Sequence, residues 1–99
     1  MVRHIVCFKL KDNSFKAKEE AKKILLSMKG KVPLLVNIEV GCDYLCSERS
    51  YDVVLITDFN SKEDAQAYQN DEYHCSVVKK HMHSVAESSI AIDYEISDV

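Results

Sequence analysis

The 99-residue chain has no tryptophan, one proline and two glycines, and it contains no apolar run of membrane-spanning length. With glycine so scarce there is no loop to cradle a nucleotide, and no flavin signature is present. A helical bilayer crossing needs about 20 consecutive apolar residues, so no membrane association is expected. Strand-like alternation begins at Val2 with no signal-peptide core before it, and a cytoplasmic protein is expected. Positive charge is short as well. The formal net charge is −3, which argues against a nucleic-acid partner. What basic charge exists is concentrated in residues 1–31, with nine Lys and Arg against three acids, while residues 32–78 carry two against nine. Those early lysines fall opposite an apolar stripe and read as the solvated face of a helix, since a polyanion site would need aromatics among them.

A chain with 46% hydrophobic and 29% charged residues has the make-up of an ordered globular domain, and its length supports one core; a single domain over residues 1–99 is expected. The four cysteines, Cys7, Cys42, Cys46 and Cys75, are expected to be free thiols in a cytoplasmic setting. Cys42-x3-Cys46 together with His74, Cys75, His81 and His83 fits no defined zinc spacing. His81 and His83 sit about 200° apart on a helix and cannot grip one ion together. No metal and no other cofactor is expected.

In chain order, residues 2–11 alternate, with Val2, His4, Val6, Phe8 and Leu10 on one face and Arg3, Ile5, Cys7, Lys9 and Lys11 on the other. Asp12-Asn13-Ser14 supplies a turn and a cap for a helix carrying Ala17, Ala21, Ile24, Leu25 and Met28 inward and Lys16, Lys18, Lys22 and Lys23 outward, ended by Gly30. Residues 36–42 and 51–59 read as two further strands, the latter apolar on both faces in its middle and therefore central. Ser61 caps the next helix, with Asp64 three residues on. A second helical piece from Glu72 to about Val85 carries Tyr73, Val77, Val78, His81 and Val85 inward, with Lys79 and Lys80 outside that set. Residues 87–96 close the chain as a strand, with Ile90, Ile92, Tyr94 and Ile96 opposed to Ala91, Asp93 and Glu95. The order β-α-β-β-α-β predicts an α+β, ferredoxin-like sheet with both helices on one face. The face left uncovered carries Ile5, Cys7, Val54, Ile56 and Ala91, with Arg3, Lys9, Asp52, Asp58, Asp93 and Glu95 at its rim. An apolar patch of that kind predicts a homodimer, two sheets packed face to face.

Tyr68 and His74 are the candidate chemistry. On one unbroken helix six residues turn about 600°, about 240° net, so the two side chains would diverge. Asn70 and Asp71 favour turns and can cap a new helix, and a break there would let the rings converge. His74 would then occupy a first helical turn, where the macrodipole favours a neutral imidazole. The ordinary alternative is that both are packing residues on an amphipathic helix.

The segments Val2-Arg3-His4-Ile5-Val6-Cys7-Phe8-Lys9-Leu10-Lys11, Ala67-Tyr68-x5-His74 and Glu87-Ser88-Ser89-Ile90-Ala91-Ile92-Asp93-Tyr94 resemble recurrent segments of the stress-responsive dimeric α/β barrel (Dabb) domain family. The similarity runs over essentially the whole chain. That family includes a plant polyketide cyclase, oligomeric plant stress proteins and many bacterial members. The resemblance implies that Tyr68 and His74 match the cyclase's acid/base pair and His4 its strand-one histidine. The sequence departs from the cyclase at Leu25, Val53 and Ala86, which replace a tyrosine, a histidine and a bulky aromatic, and at Asp71-Glu72, which replaces a His-Pro pair. The comparison with the cyclase implies that the pocket chemistry is retained and that the polyketide specificity is not.

The resulting expectation is a dimer binding a small carbonyl-containing or hydrophobic ligand between sheet and helices, in a pocket of His4, Val6, Phe8, Leu25, Leu55, Tyr68 and His74. Two alternatives stand beside it: an acid/base cyclase, isomerase or lyase using Tyr68 and His74, and a structural or chaperone-like oligomer with that space filled.

Overall fold

The computed structural model describes residues 1–96 as β1 (Val2–Leu10), α1 (Phe15–Leu26), β2 (Asn37–Cys42), β3 (Val53–Phe59), α2 (Lys62–Tyr68), a π-helical segment His74–Lys79, α3 (Lys80–Val85) and β4 (Ala86–Glu95). The strands form one antiparallel sheet in the order β2-β3-β1-β4, so β1 and β3 are central and the fold is the expected ferredoxin-like βαββαβ.

The helix starts follow from side-chain capping. Ser14 Oγ accepts from the Ala17 N–H at 3.2 Å, and Ser61 Oγ from the Asp64 N–H at 3.1 Å, each satisfying a donor that the first helical turn leaves open. Helix α1 ends at Leu26, earlier than expected, and turns continue to Gly30. Its φ of 82° is a conformation glycine adopts without penalty, and it lets the Lys31 and Val32 N–H groups return to the Met28 carbonyl. Ala21, Leu25, Met28, Tyr68, Val78 and Met82 pack from the helices onto Leu10, Val40, Val53, Leu55 and Phe59 of the sheet. Leu25, Met28 and Phe59 have no exposed surface, and each buried side chain of this size stabilises the fold by about 1.5–3 kcal/mol.

Several sequence expectations need correction. Ala91 pairs with Val6 in register and lines the helix side of the sheet, whereas Ile92 pairs with Ile5 and Ile90 with Cys7. The uncovered face therefore carries Ile5, Cys7, Val54, Ile56, Ile90 and Ile92, and Ala91 is not part of it. Asp93 pairs with His4 and bonds it, so it too lies on the helix side. Asp52 is buried rather than at a rim: its Oδ2 accepts the Leu10 N–H at 2.7 Å, while its own N–H donates to the Phe8 carbonyl at 2.8 Å, next to the register shift between Lys9 and Leu10. Lys18 is buried as well, because its Nζ reaches the Asp43 carbonyl at 3.1 Å. Val77 is partly exposed and Met82 takes an inward position, a phase change caused by the π-helical segment.

Candidate functional site

Helix α2 stops at Tyr68 and the chain turns through Gln69 and Asn70, whose N–H groups bond back to Gln66 and Ala67. Asp71 then restarts the helix, its Oδ2 accepting the His74 N–H at 2.9 Å, as its residue type predicts. This local reversal folds His74 over Tyr68. The two rings stack with centroids 4.0 Å apart and planes 22° apart. Phe59 backs the phenol at 4.9 Å, and the His4 ring stands edge-on to it at 6.3 Å.

The polar atoms of this cluster are individually placed. His74 Nδ1–H donates to the Tyr68 carbonyl at 3.1 Å. That bond leaves the lone pair of the neutral ring on Nε2. Among the described residues no fully buried side-chain nitrogen or oxygen lacks a partner and none bonds Nε2, so Nε2 keeps accessible surface on a residue that lines the cavity. Burial lowers the His74 pKa; the bond to the Tyr68 carbonyl opposes this, and the nearby Lys79 and His4 charges add to the lowering. The ring is thus neutral at pH 7. Burial, followed by the charges of Asp71 and Cys75, pushes the Tyr68 phenol well above its ordinary value, so it is a hydrogen-bond donor and not a phenolate. Its hydroxyl donates to Met28 Sδ at 3.4 Å, a weak acceptor. His4 Nδ1 lies 2.5 Å from Asp93 Oδ1.

A cavity of about 260 Å³ lies between sheet and helices, and all seven of the expected residues line it: His4, Val6, Phe8, Leu25, Leu55, Tyr68 and His74. Sequence reasoning did not place Gln69, Val78, Lys79, Met82, His83, Ser89 and Ala91 there, and together with Ala86 they complete the wall. The small Ser89 and Ala91 on β4 leave its floor low, and their register against Phe8 and Val6 was the signal that could have found them. A wider, more open groove of about 500 Å³ adjoins it through His4 and Gln69. The charges there are largely committed: Lys62 Nζ meets Glu95 Oε1 at 2.6 Å, and Arg3 forks onto Asp58 at 2.7 and 3.1 Å. Among the described residues, no three His, Cys, Asp or Glu side chains gather as a metal site, all four cysteines are free, and no helix is long and apolar enough to cross a membrane.

A profile described as the stress responsive A/B barrel domain, Dabb, matches residues 2–96. The chain belongs to this family. Among solved structures, this Dabb domain is similar to a dimeric protein of unknown function and ferredoxin-like fold from Bacteroides fragilis, with 27% identity and a TM-score of 0.80 over 96% of this chain and 95% of that one. A Dabb family protein from Mesorhizobium loti has 23% identity and a TM-score of 0.74, covering 97% and 96%. A hydroxynitrile lyase from Passiflora edulis has 17% identity and a TM-score of 0.82, covering 99% and 94%; at that identity the likeness is one of fold alone. No curated protein sequence matches the chain.

Proposed function

We propose that this Dabb domain is a homodimer that binds a small carbonyl-containing or hydrophobic ligand in the cavity between sheet and helices. The observation that carries the ligand reading is the cavity itself: apolar on Val6, Phe8, Leu25 and Leu55, with the neutral imidazole of His74 on its wall. A filled core would have favoured a purely structural oligomer. The dimer reading rests on the uncovered face of Ile5, Cys7, Val54 and Ile56, extended by Ile90 and Ile92, which are 49% and 63% exposed in the protomer. Contiguous apolar surface of this kind marks an interface, and relatives from Bacteroides fragilis and Thermobifida fusca are described as dimeric.

A second reading, acid/base catalysis, is favoured by the His74 tautomer. With the proton on Nδ1 and the lone pair on Nε2, His74 would remove a proton beside a ligand carbonyl, and Tyr68 would donate its hydroxyl to the enolate oxygen that develops. Tyr68 would give up only a thioether acceptor in that exchange, a small loss. His4, held by Asp93, would orient the ligand. The same fold supports a lyase in Passiflora edulis. Native mass spectrometry of the purified protein, followed by identification of any small molecule released on denaturation, tests the binding reading. A protein that copurifies with nothing and takes up no carbonyl compound or hydrophobic probe at millimolar concentration would leave the structural oligomer in its place.

A further inference from the structure

Apart from the Tyr68 phenol, which stays protonated, the ionisable side chains on the cavity wall are bases: His4, His74, Lys79 and His83. Among the described residues no carboxylate lines it. Asp93 is bonded to His4 and lines the adjoining groove, and Asp71 is used on the His74 N–H. Lys79 is partly buried and makes no ion pair among the described residues. Its charge is nonetheless felt at the site, since it disfavours protonation of His74.

The backbone explains how Lys79 comes to be there. On an α-helix five residues turn 500°, which would set Lys79 about 140° away from His74. In a π-helical segment, with about 4.4 residues per turn and i→i+5 bonding, the same five residues end only about 50° apart. The π-helical stretch His74–Lys79 therefore brings imidazole and ammonium to one face, and His83 follows Lys79 one α-helical turn later. Lys79 thus lines a largely apolar wall with no anionic partner among the described residues. An anion in the cavity supplies what is missing.

We propose that the cavity selects a small monocarboxylate, its apolar body against Val6, Phe8 and Leu55 and its carboxylate on Lys79 and His83. This rests on the reading of the cavity as a ligand site and adds the charge of the ligand. One permanent cation matches one negative charge; a phosphate dianion would call for an arginine fork or a cluster of backbone N–H donors.

The test compares two isosteres, hexanoate and hexanamide, by calorimetry at pH 7.5 and fixed ionic strength, on the wild type, Lys79→Gln and Ala91→Phe. The wild type is expected to bind hexanoate about tenfold more tightly than hexanamide, the scale of one charge-assisted contact. Lys79→Gln should bring the two within about twofold, because the charged partner of the carboxylate is removed. Ala91→Phe, which raises the cavity floor, should abolish both. Equal binding of the two probes by the wild type, or a preference that survives Lys79→Gln, overturns the carboxylate assignment; loss of both in Ala91→Phe would then leave the cavity standing as a site for neutral ligands. Binding of neither probe by the wild type at millimolar concentration overturns both.

Discussion

His74 lies face to face with Tyr68 at 4.0 Å and also donates from Nδ1 to the backbone carbonyl of that same residue. One residue thus fixes the plane, the tautomer and the burial of the other. A ligand that uses both should feel them as a unit. In a double-mutant cycle on binding or turnover of an identified ligand, His74→Ala and Tyr68→Phe should each weaken the effect, with an interaction energy of about 0.5–3 kcal/mol between them. Purely additive losses would mean that the two rings do not serve one group.

Stability should carry the mark of the buried imidazole. In the unfolded chain His74 titrates near 6.5, and in the folded protein lower. Above pH 6.5 both states hold the neutral ring and the group contributes no slope. As pH falls below 6.5 the unfolded chain takes up the proton first, so folding stability declines until the folded ring is itself protonated. Urea midpoints at pH 7.5, 6.5 and 5.5 should fall less steeply in His74→Gln than in the wild type. Identical slopes would show that burial does not hold this ring neutral.

The two sides of β4 should behave differently on mutation. Ile92→Asp and Val54→Asp place a charge on the uncovered apolar face and should yield monomers in sedimentation at micromolar concentration. Ala91→Phe points to the cavity and should leave the sedimentation coefficient unchanged. A wild type that sediments as a monomer would remove the dimer reading.

Asp52 joins two strands through one carboxylate and its own amide. Asp52→Ala leaves the Leu10 N–H buried without an acceptor and should cost about 1–3 kcal/mol in urea unfolding. Asp52→Asn keeps an acceptor and should cost clearly less. Equal losses would assign the effect to side-chain volume.

The fold was legible because its signals are local. Capping at Ser14 and Ser61, the two-sided apolar centre of β3 and the break at Asp71 each depend on a few neighbouring residues, and they carried the element order and the gathering of His4, Tyr68 and His74. The misplaced residues depend on distant partners. Ile90, Ile92 and Tyr94 form the more apolar stripe of β4, and hydrophobicity alone assigns such a stripe to the helices. Register against β1 assigns it to the other face. Where both faces of a sheet can be covered, alternation says that two faces exist but not which is which. Lys18 and Asp52 were read as surface groups because charge predicts exposure, yet each is held inside by a backbone group far along the chain. Lys79 was lost to a helical period that assumed 3.6 residues per turn throughout.

Strand β4 has one neighbour in the sheet, β1, and its other edge carries unpaired backbone groups. The same strand floors the cavity with Ser89 and Ala91. In the protomer, then, the floor of the cavity is, like β2, an edge of the sheet, and its amides should open to deuterium before those of β1 or β3. Occupancy of the cavity would be recorded along β4 as slowed exchange, at amides that need touch no ligand atom.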